Sequence, residues 1–109
     1  MADMSANFQG KLPPQNLVAE QSVLGSILLH NESLDEVADF LQATHFYSEK
    51  HQLIYGAIYR MSEAGVRGID AVTLSEELDA RQQLADVGGV PYILEILAAV
   101  PHAAHVKYY

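Results

Sequence analysis

The chain has 109 residues, with six Lys and Arg against fourteen Asp and Glu, so its net charge is −8. This length suits one domain with one core. The absence of cysteine excludes disulfides, cysteine-zinc sites and thiol catalysis, and it fits a reducing, cytoplasmic compartment. The basic residues stand singly, so direct DNA binding, which needs clustered positive charge, is not expected. No signal peptide or membrane-spanning stretch is visible.

The Asn16–His30 stretch is predicted to form the central helix of the fold, with Asn16 as its N-cap. Apolar residues recur on one face at helical spacing: Leu17, Leu24, Ile27 and Leu28. Small or apolar side chains cover the other sides, so we expect neighbours all round and a close helix crossing at Gly25. Glu20 and Gln21 project toward the apolar face, where we expect them to bond to neighbouring helix ends or backbone.

Two further helices are predicted in the middle of the chain. Ser33 is the expected N-cap of a helix that reaches Leu41, after the first helix ends at a left-handed Asn31. Phe40 is placed at the rim of the core. Ser48 is the expected N-cap of a third helix that runs to about Glu63.

Asp70 is the expected N-cap of a fourth helix, with Leu74 and Leu78 in the core. A turn at Gly88-Gly89 should lead into a fifth helix, with Pro91 in its first turn. This fifth helix is apolar on most sides and is predicted to be buried. Together these elements predict an all-α fold, a compact orthogonal bundle of five short helices plus a truncated sixth after Pro101. Residues 1–12 are predicted to be a flexible lead-in, and residues 13–109 the helical domain.

Nucleotide and catalytic motifs are missing from the sequence. The only Gly-Lys pair, Gly10-Lys11, is followed by Leu12, so no GxxxxGK[ST] phosphate-binding loop is present. Gly88-Gly89 before a helix could offer N–H groups to an anion, but a simple turn explains it better. We therefore predict no catalytic residue and no cofactor-binding residue in this chain.

Five histidines raise the question of a metal site. His102 and His105 are three residues apart, and His45 and His51 flank the start of the third helix. None of these spacings matches a zinc motif with three or four ligands. We expect no metal ligand and interpret the histidines as surface or loop residues.

Tyr55 and Tyr59 form an i, i+4 pair beside the apolar face of the third helix. They are predicted to be half-buried tyrosines at the rim of the core. The alternative is that they belong to a partner-binding surface, because tyrosine is enriched at interfaces. They are the only partner-binding candidates that the sequence offers.

The Ala19–Leu29 stretch, AEQSVLGSILL, resembles the beginning of the DnaB-family replicative DNA helicase. The resemblance continues in order through His45-Phe46-Tyr47, Ile69-Asp70, Val87-Gly88-Gly89 and Pro101, and covers about residues 13–109. Family members commonly carry Gly at the position of Gln82 and Asn at that of His105. Gln82 must therefore avoid the left-handed conformation or accept a cost on the order of 1 kcal/mol, and His105 weakens the case for a well-formed last helix.

The resemblance implies the N-terminal domain of the helicase, cut before its helical hairpin, linker and ATPase motor. It implies a non-catalytic oligomerisation and docking module in the N-terminal collar of a hexamer, with the other helicase subunits and the primase C-terminal domain as partners. ATP and Mg²⁺ would belong to the motor, which unwinds duplex DNA, and the chain alone should be monomeric or weakly associating. The alternative is a stand-alone helical protein–protein adaptor without a motor.

Overall fold

The computed structural model describes residues 16–100. Within this range the chain forms five α-helices: α1 Leu17–Leu29, α2 Glu32–Val37, α3 Glu49–Glu63, α4 Ala71–Ala80 and α5 Gly89–Ala98. Short 3₁₀ helices, Ala43–His45 and Ala85–Val87, precede α3 and α5, and residues 16–100 contain no strand. The all-α prediction is confirmed. The predicted lead-in and sixth helix lie outside the described residues.

Helix α1 is the centre of the fold, as predicted. Eight of its thirteen residues are buried, and the Asn16 side chain accepts a hydrogen bond from the Ala19 N–H at 3.0 Å. A Cβ added at Gly25 would lie 2.4 Å from Val100 Cγ2 and 2.7 Å from the Ile96 carbonyl oxygen. Glycine is therefore required where α1 meets the end of α5, and the predicted close crossing is confirmed.

The region around α2 differs from its prediction. The N-cap is Asn31, in the right-handed helical region, while Ser33 is buried inside the helix. The Asn31 side chain donates to the Ile27 and Ile69 carbonyl oxygens and accepts the Ile69 N–H, so it holds the loop before α4 instead of ending α1 in a left-handed turn. The helix ends at Val37 rather than near Leu41, which is still buried, and Phe40 is exposed rather than at the core rim.

Helix α3 begins after Ser48 and ends at Glu63, as predicted, but the Ser48 side chain makes no capping hydrogen bond. Helix α4 begins after Asp70, whose carboxylate accepts the Thr73 N–H at 2.9 Å while Thr73 Oγ1 accepts the Asp70 N–H. The Thr73 backbone hydrogen bond is the main reason that the pKa of Asp70 lies below its usual value.

No helix within residues 16–100 is long and apolar enough to cross a membrane.

Helix α5 is not the fully buried element that its composition predicted. Only two of its ten residues, Ile93 and Ile96, are buried. Val90 and Leu94 keep 41% and 52% of their surfaces exposed. The helix packs on α1 and α4 with one side only, because nothing within residues 16–100 covers the other.

Candidate functional site

The most concentrated polar chemistry is a hydrogen-bonded network inside the core, centred on Glu20. This α1 carboxylate is fully buried and accepts hydrogen bonds from the backbone N–H groups of Tyr47 at 2.6 Å and Ser48 at 3.3 Å. It therefore satisfies the N–H of the N-cap Ser48 and that of the preceding residue, immediately before α3. The expectation that Glu20 bonds to a neighbouring helix end is confirmed.

The network continues from Glu20 through His51, which is also fully buried. His51 Nδ1 lies 2.6 Å from Glu20 Oε1, and His51 Nε2 lies 2.7 Å from the Tyr92 hydroxyl. The Gln21 side chain donates to that hydroxyl oxygen at 3.1 Å, so its partner is a side chain in the first turn of α5, where a helix end or backbone was expected. His51 is thus a core residue, and its interpretation as a surface or loop histidine was wrong.

The partners define where the protons of the network lie. Two backbone N–H groups already point at the Glu20 carboxylate, so we assign the His51 Nδ1 proton as a third donor to it. Because Gln21 donates to the Tyr92 oxygen, the Tyr92 O–H is then directed at His51 Nε2. Every donor in the series from α5 to α1 has an acceptor, as a buried polar network requires.

Tyr92 closes the network at its outer end. Its ring is stacked on His51, with centroids 5.9 Å apart, and Lys50 Nζ lies 4.7 Å from the Tyr92 ring centroid. Gly88 has a φ of 99°, and a Cβ there would lie 2.8 Å from Tyr92 Cβ. Glycine at position 88 therefore leaves room for Tyr92, whose side chain contacts α1 and α3.

The Glu20 carboxylate, His51 and the Tyr92 hydroxyl are arranged in series, as the three groups of a catalytic triad are. Here, however, the hydroxyl proton and both histidine nitrogens form hydrogen bonds between helices. Residues 16–100 hold no group of three His, Asp or Glu side chains that could bind a metal ion. We conclude that the network joins α1, α3 and α5. The sequence signalled only Glu20 and Gln21, as polar residues on an apolar face, because the partner His51 lies 31 residues from Glu20 along the chain.

The two tyrosines singled out from the sequence have different environments. Tyr55 is 1% exposed and donates its hydroxyl proton to the Leu41 carbonyl oxygen at 2.8 Å. Burial, and secondarily Tyr59, raises the pKa of Tyr55 to about 12. Tyr55 is thus a core residue rather than a half-buried rim residue, while Tyr59 remains 39% exposed and available at the surface.

The outward side of α5 carries exposed apolar residues. Val90 and Leu94 are one helical turn apart and both are exposed, and Leu97 lies one turn further on the same side, partly buried. Isolated exposed apolar residues are ordinary, and adjacent ones on one helix form a small apolar patch. We refer to these three residues as the α5 apolar face.

These features define a class of protein: a small all-α domain whose buried polar groups hold helices together and whose outer helix presents apolar residues. Residues 12–109 match the family model of the DnaB-like helicase N-terminal domain. This match covers nearly the whole chain, and the chain belongs to that family. The resemblance inferred from the sequence is confirmed.

Several curated proteins are similar to the chain. It is 42% identical over 106 residues to the replicative DNA helicase DnaB of Geobacillus stearothermophilus, a match that covers 97% of this chain and 23% of that protein. The replicative DNA helicase DnaB of Treponema pallidum (strain Nichols) is 41% identical over 109 residues, covering 100% of this chain and 25% of that protein. The chain thus spans about a quarter of the length of these relatives.

A solved structure shows the same fold. The crystal structure of the N-terminal domain of DnaB helicase from Mycobacterium tuberculosis superposes with a TM-score of 0.82 at 43% sequence identity. The match covers 90% of this chain and 70% of that one. The chain therefore corresponds to the N-terminal domain of the helicase and not to its motor.

Proposed function

We propose that this chain is a non-catalytic oligomerisation and docking module of a replicative DNA helicase. The observation that carries the proposal is that nearly the whole chain matches the N-terminal domain family, while spanning about a quarter of proteins named replicative DNA helicase DnaB. In this proposal the domain forms part of an N-terminal collar on a hexamer and helps to recruit primase at the replication fork. The parent protein would unwind duplex DNA with ATP.

The α5 apolar face supports a docking role. Leu94 is 52% exposed and Val90 41% exposed, although hydrocarbon of this size gains free energy when it leaves water. Apolar residues at the centre of an interface with a polar surround are typical of protein–protein contacts. The net charge of −8 favours a partner surface that is basic or mixed in charge.

The test uses the full-length helicase ring and the cognate primase C-terminal domain, mixed in a calorimeter. We expect saturable binding to the ring. Replacing Leu94 by Asn in the ring should weaken binding by about tenfold if the α5 apolar face is buried in the complex. Val72→Asn is the matched control, because Val72 is 64% exposed on α4 and outside that face.

A ring that binds no primase domain would contradict the docking role. If Leu94→Asn and Val72→Asn rings both bind as tightly as the parent ring, docking uses another surface and the role assigned to α5 is wrong. Size-exclusion chromatography with light scattering would measure assembly separately. We expect a hexamer for the full protein and a monomer or weak dimer for this chain.

The alternative, a stand-alone helical adaptor, predicts a different gene downstream of the domain. A downstream linker and a GxxxxGK[ST] motif would establish the motor and remove the adaptor interpretation. A gene that encodes no such motif would contradict the helicase proposal directly.

A further inference from the structure

The outer side of α2 and of the turn after it is strongly acidic. Four acidic residues recur there at three- and four-residue spacing, and all of them are exposed: Glu32, Asp35, Glu36 and Asp39. Ser33 and Leu34, on the opposite side, are buried. The core therefore holds α2 by its inner side, and the packing of the fold does not use the outer one. We refer to the four carboxylates as the α2 acidic face.

The α2 acidic face lacks the basic neighbours that a carboxylate has on α4. There, Glu77 pairs with Arg81 at 2.7 Å and also lies 3.8 Å from Arg60. Among the described residues, the only ion pair of the α2 acidic face is the one between His30 and Glu32, at 3.9 Å. Like charges one helical turn apart repel each other. The face thus carries negative charge that no lysine or arginine of the described chain neutralises.

Phe40 adds an aromatic ring at the end of the α2 acidic face. It follows Asp39 directly, and 47% of its surface is exposed. Its N–H donates to the Val37 carbonyl oxygen at 3.1 Å, so the backbone of the turn is held in place while the ring stays outside the core. Aromatic residues are enriched at protein–protein interfaces, where covering the ring is favourable. The surface therefore combines a row of negative charge with one apolar contact.

We propose that the α2 acidic face and Phe40 together form a docking surface for a basic segment of another protein. The segment carries lysine or arginine side chains about one helical turn apart, and an apolar side chain that packs on Phe40. Arginine binds a carboxylate through two parallel hydrogen bonds, and lysine binds it as a point charge. Nucleic acids and anionic membranes are themselves negatively charged and are repelled, so the charge of this surface selects a protein.

This docking surface is separate from the one assigned above to primase. It shares no residue with the α5 apolar face, and the inference does not depend on the docking of primase.

The test is an NMR titration of the ¹⁵N-labelled chain with the peptide acetyl-AKAAKAAAKAAKLA-amide, whose lysines share one helical face with a leucine. We expect saturable shift changes centred on residues 32–40, weakened by added salt because the contact is electrostatic. The same peptide with glutamine in place of every lysine should bind at least about tenfold more weakly. A short oligothymidylate and phosphatidylserine vesicles should produce no shift changes at residues 32–40.

Paired variants separate this surface from the net charge of the chain. The double variant Asp35→Asn/Glu36→Gln removes two negative charges from α2, and Glu76→Gln/Asp79→Asn removes two from exposed positions on α4. The two variants have the same net charge. We expect the α2 double variant to bind the basic peptide about tenfold more weakly, and the α4 double variant to stay within about twofold of the parent chain.

Phe40→Ala tests the apolar contact. Its control is Val72→Ala, because Val72 is 64% exposed on α4 and lies outside the docking surface. We expect Phe40→Ala to weaken binding of the basic peptide by about threefold or more, and Val72→Ala to leave it unchanged. Thermal melts provide a second measurement. The α2 double variant should melt at nearly the same temperature as the parent chain, because the core uses neither carboxylate.

Four results would overturn the proposal. The first is the absence of localised shifts with the basic peptide, and the second is equal binding of the lysine and glutamine peptides. Equal losses in the two double variants would show attraction by net charge alone, and a large drop in the melting temperature of the α2 double variant would show a structural role. Shifts at residues 32–40 with the oligonucleotide or the vesicles would also contradict a protein partner. None of these results bears on primase binding by the ring, so the two proposals can fail independently.

Discussion

Helices α1 and α5 pack against each other, and both are strongly apolar in sequence, but they are buried to very different extents. Eight of thirteen residues are buried in α1, including a glutamate and two serines, against two of ten in α5, which exposes Val90 and Leu94. The difference shows that apolar composition does not by itself make a helix central. Small side chains around α1 let neighbours approach from several sides, while α5 has neighbours on only one.

The network through Glu20 gives the largest expected effect. Glu20→Ala removes the acceptor for the buried His51 side chain and for the part-buried Tyr47 and Ser48 N–H groups. We expect a loss of about 3–5 kcal/mol in the free energy of unfolding, measured by urea denaturation followed by circular dichroism.

Glu76→Ala is the control for this experiment, because Glu76 is exposed on α4 and the change should stay within about 0.5 kcal/mol. A Glu20→Ala loss as small as that of the control would mean that the polar network does not hold α3 to α1. The central position of α1 would then depend on apolar packing alone.

A pair of identical substitutions tests the difference between the helices directly. Leu24 on α1 is fully buried, and Leu94 on α5 is 52% exposed. Leu24→Ala should cost about 3 kcal/mol through lost burial and the cavity it leaves, whereas Leu94→Ala should cost less than about 1 kcal/mol. Thermal melts of the two variants provide the measurement, and equal losses would contradict the assigned exposure of α5.

The contact between the two helices predicts a smaller loss. Gly25→Ala places a methyl group against Val100 and the Ile96 carbonyl oxygen, so we expect destabilisation by about 1–3 kcal/mol. Gly56→Ala is the matched control, a second mid-helix glycine where the added Cβ meets only a flexible arginine. That variant should be neutral or stabilising by up to about 1 kcal/mol. Denaturation midpoints that move in the same direction for both would show that no close crossing exists at Gly25.

Local signals in the sequence predicted much of the fold, and nonlocal contacts account for most of the errors. Asn16 and Asp70 cap their helices because their side chains reach N–H groups three residues away, a distance that sequence spacing contains. Glu20 was recognised as a charge in need of a partner, but nothing local identifies His51 as that partner.

The predictions for α2 and α5 failed for related physical reasons. Asn31 holds Ile69, 38 residues away, and this distant contact overrides its tendency to end a helix in a left-handed turn. The exposure of Leu94 depends on which helices stand beside α5, a property of the packed molecule that helical spacing does not contain. Tyr55 and Tyr59 have similar sequence contexts, and only the packed Leu41 segment places one in the core and leaves the other outside.

The turn after α4, which carries the chain toward α5, gives the smallest expected effect, and that effect is a gain in stability. Gln82 has a φ of 60°, so this non-glycine residue adopts the left-handed conformation. Gln82→Gly should stabilise the domain by about 1 kcal/mol, because glycine adopts this region of backbone conformation without the Cβ penalty.

Glu76→Gly, inside α4, is the control and should instead destabilise the domain by about 1 kcal/mol. Opposite shifts of the two melting temperatures are the expected result. A loss in both would mean that the entropy of the unfolded chain outweighs backbone strain at Gln82, and that this turn is not a strained point on the path from α4 to α5.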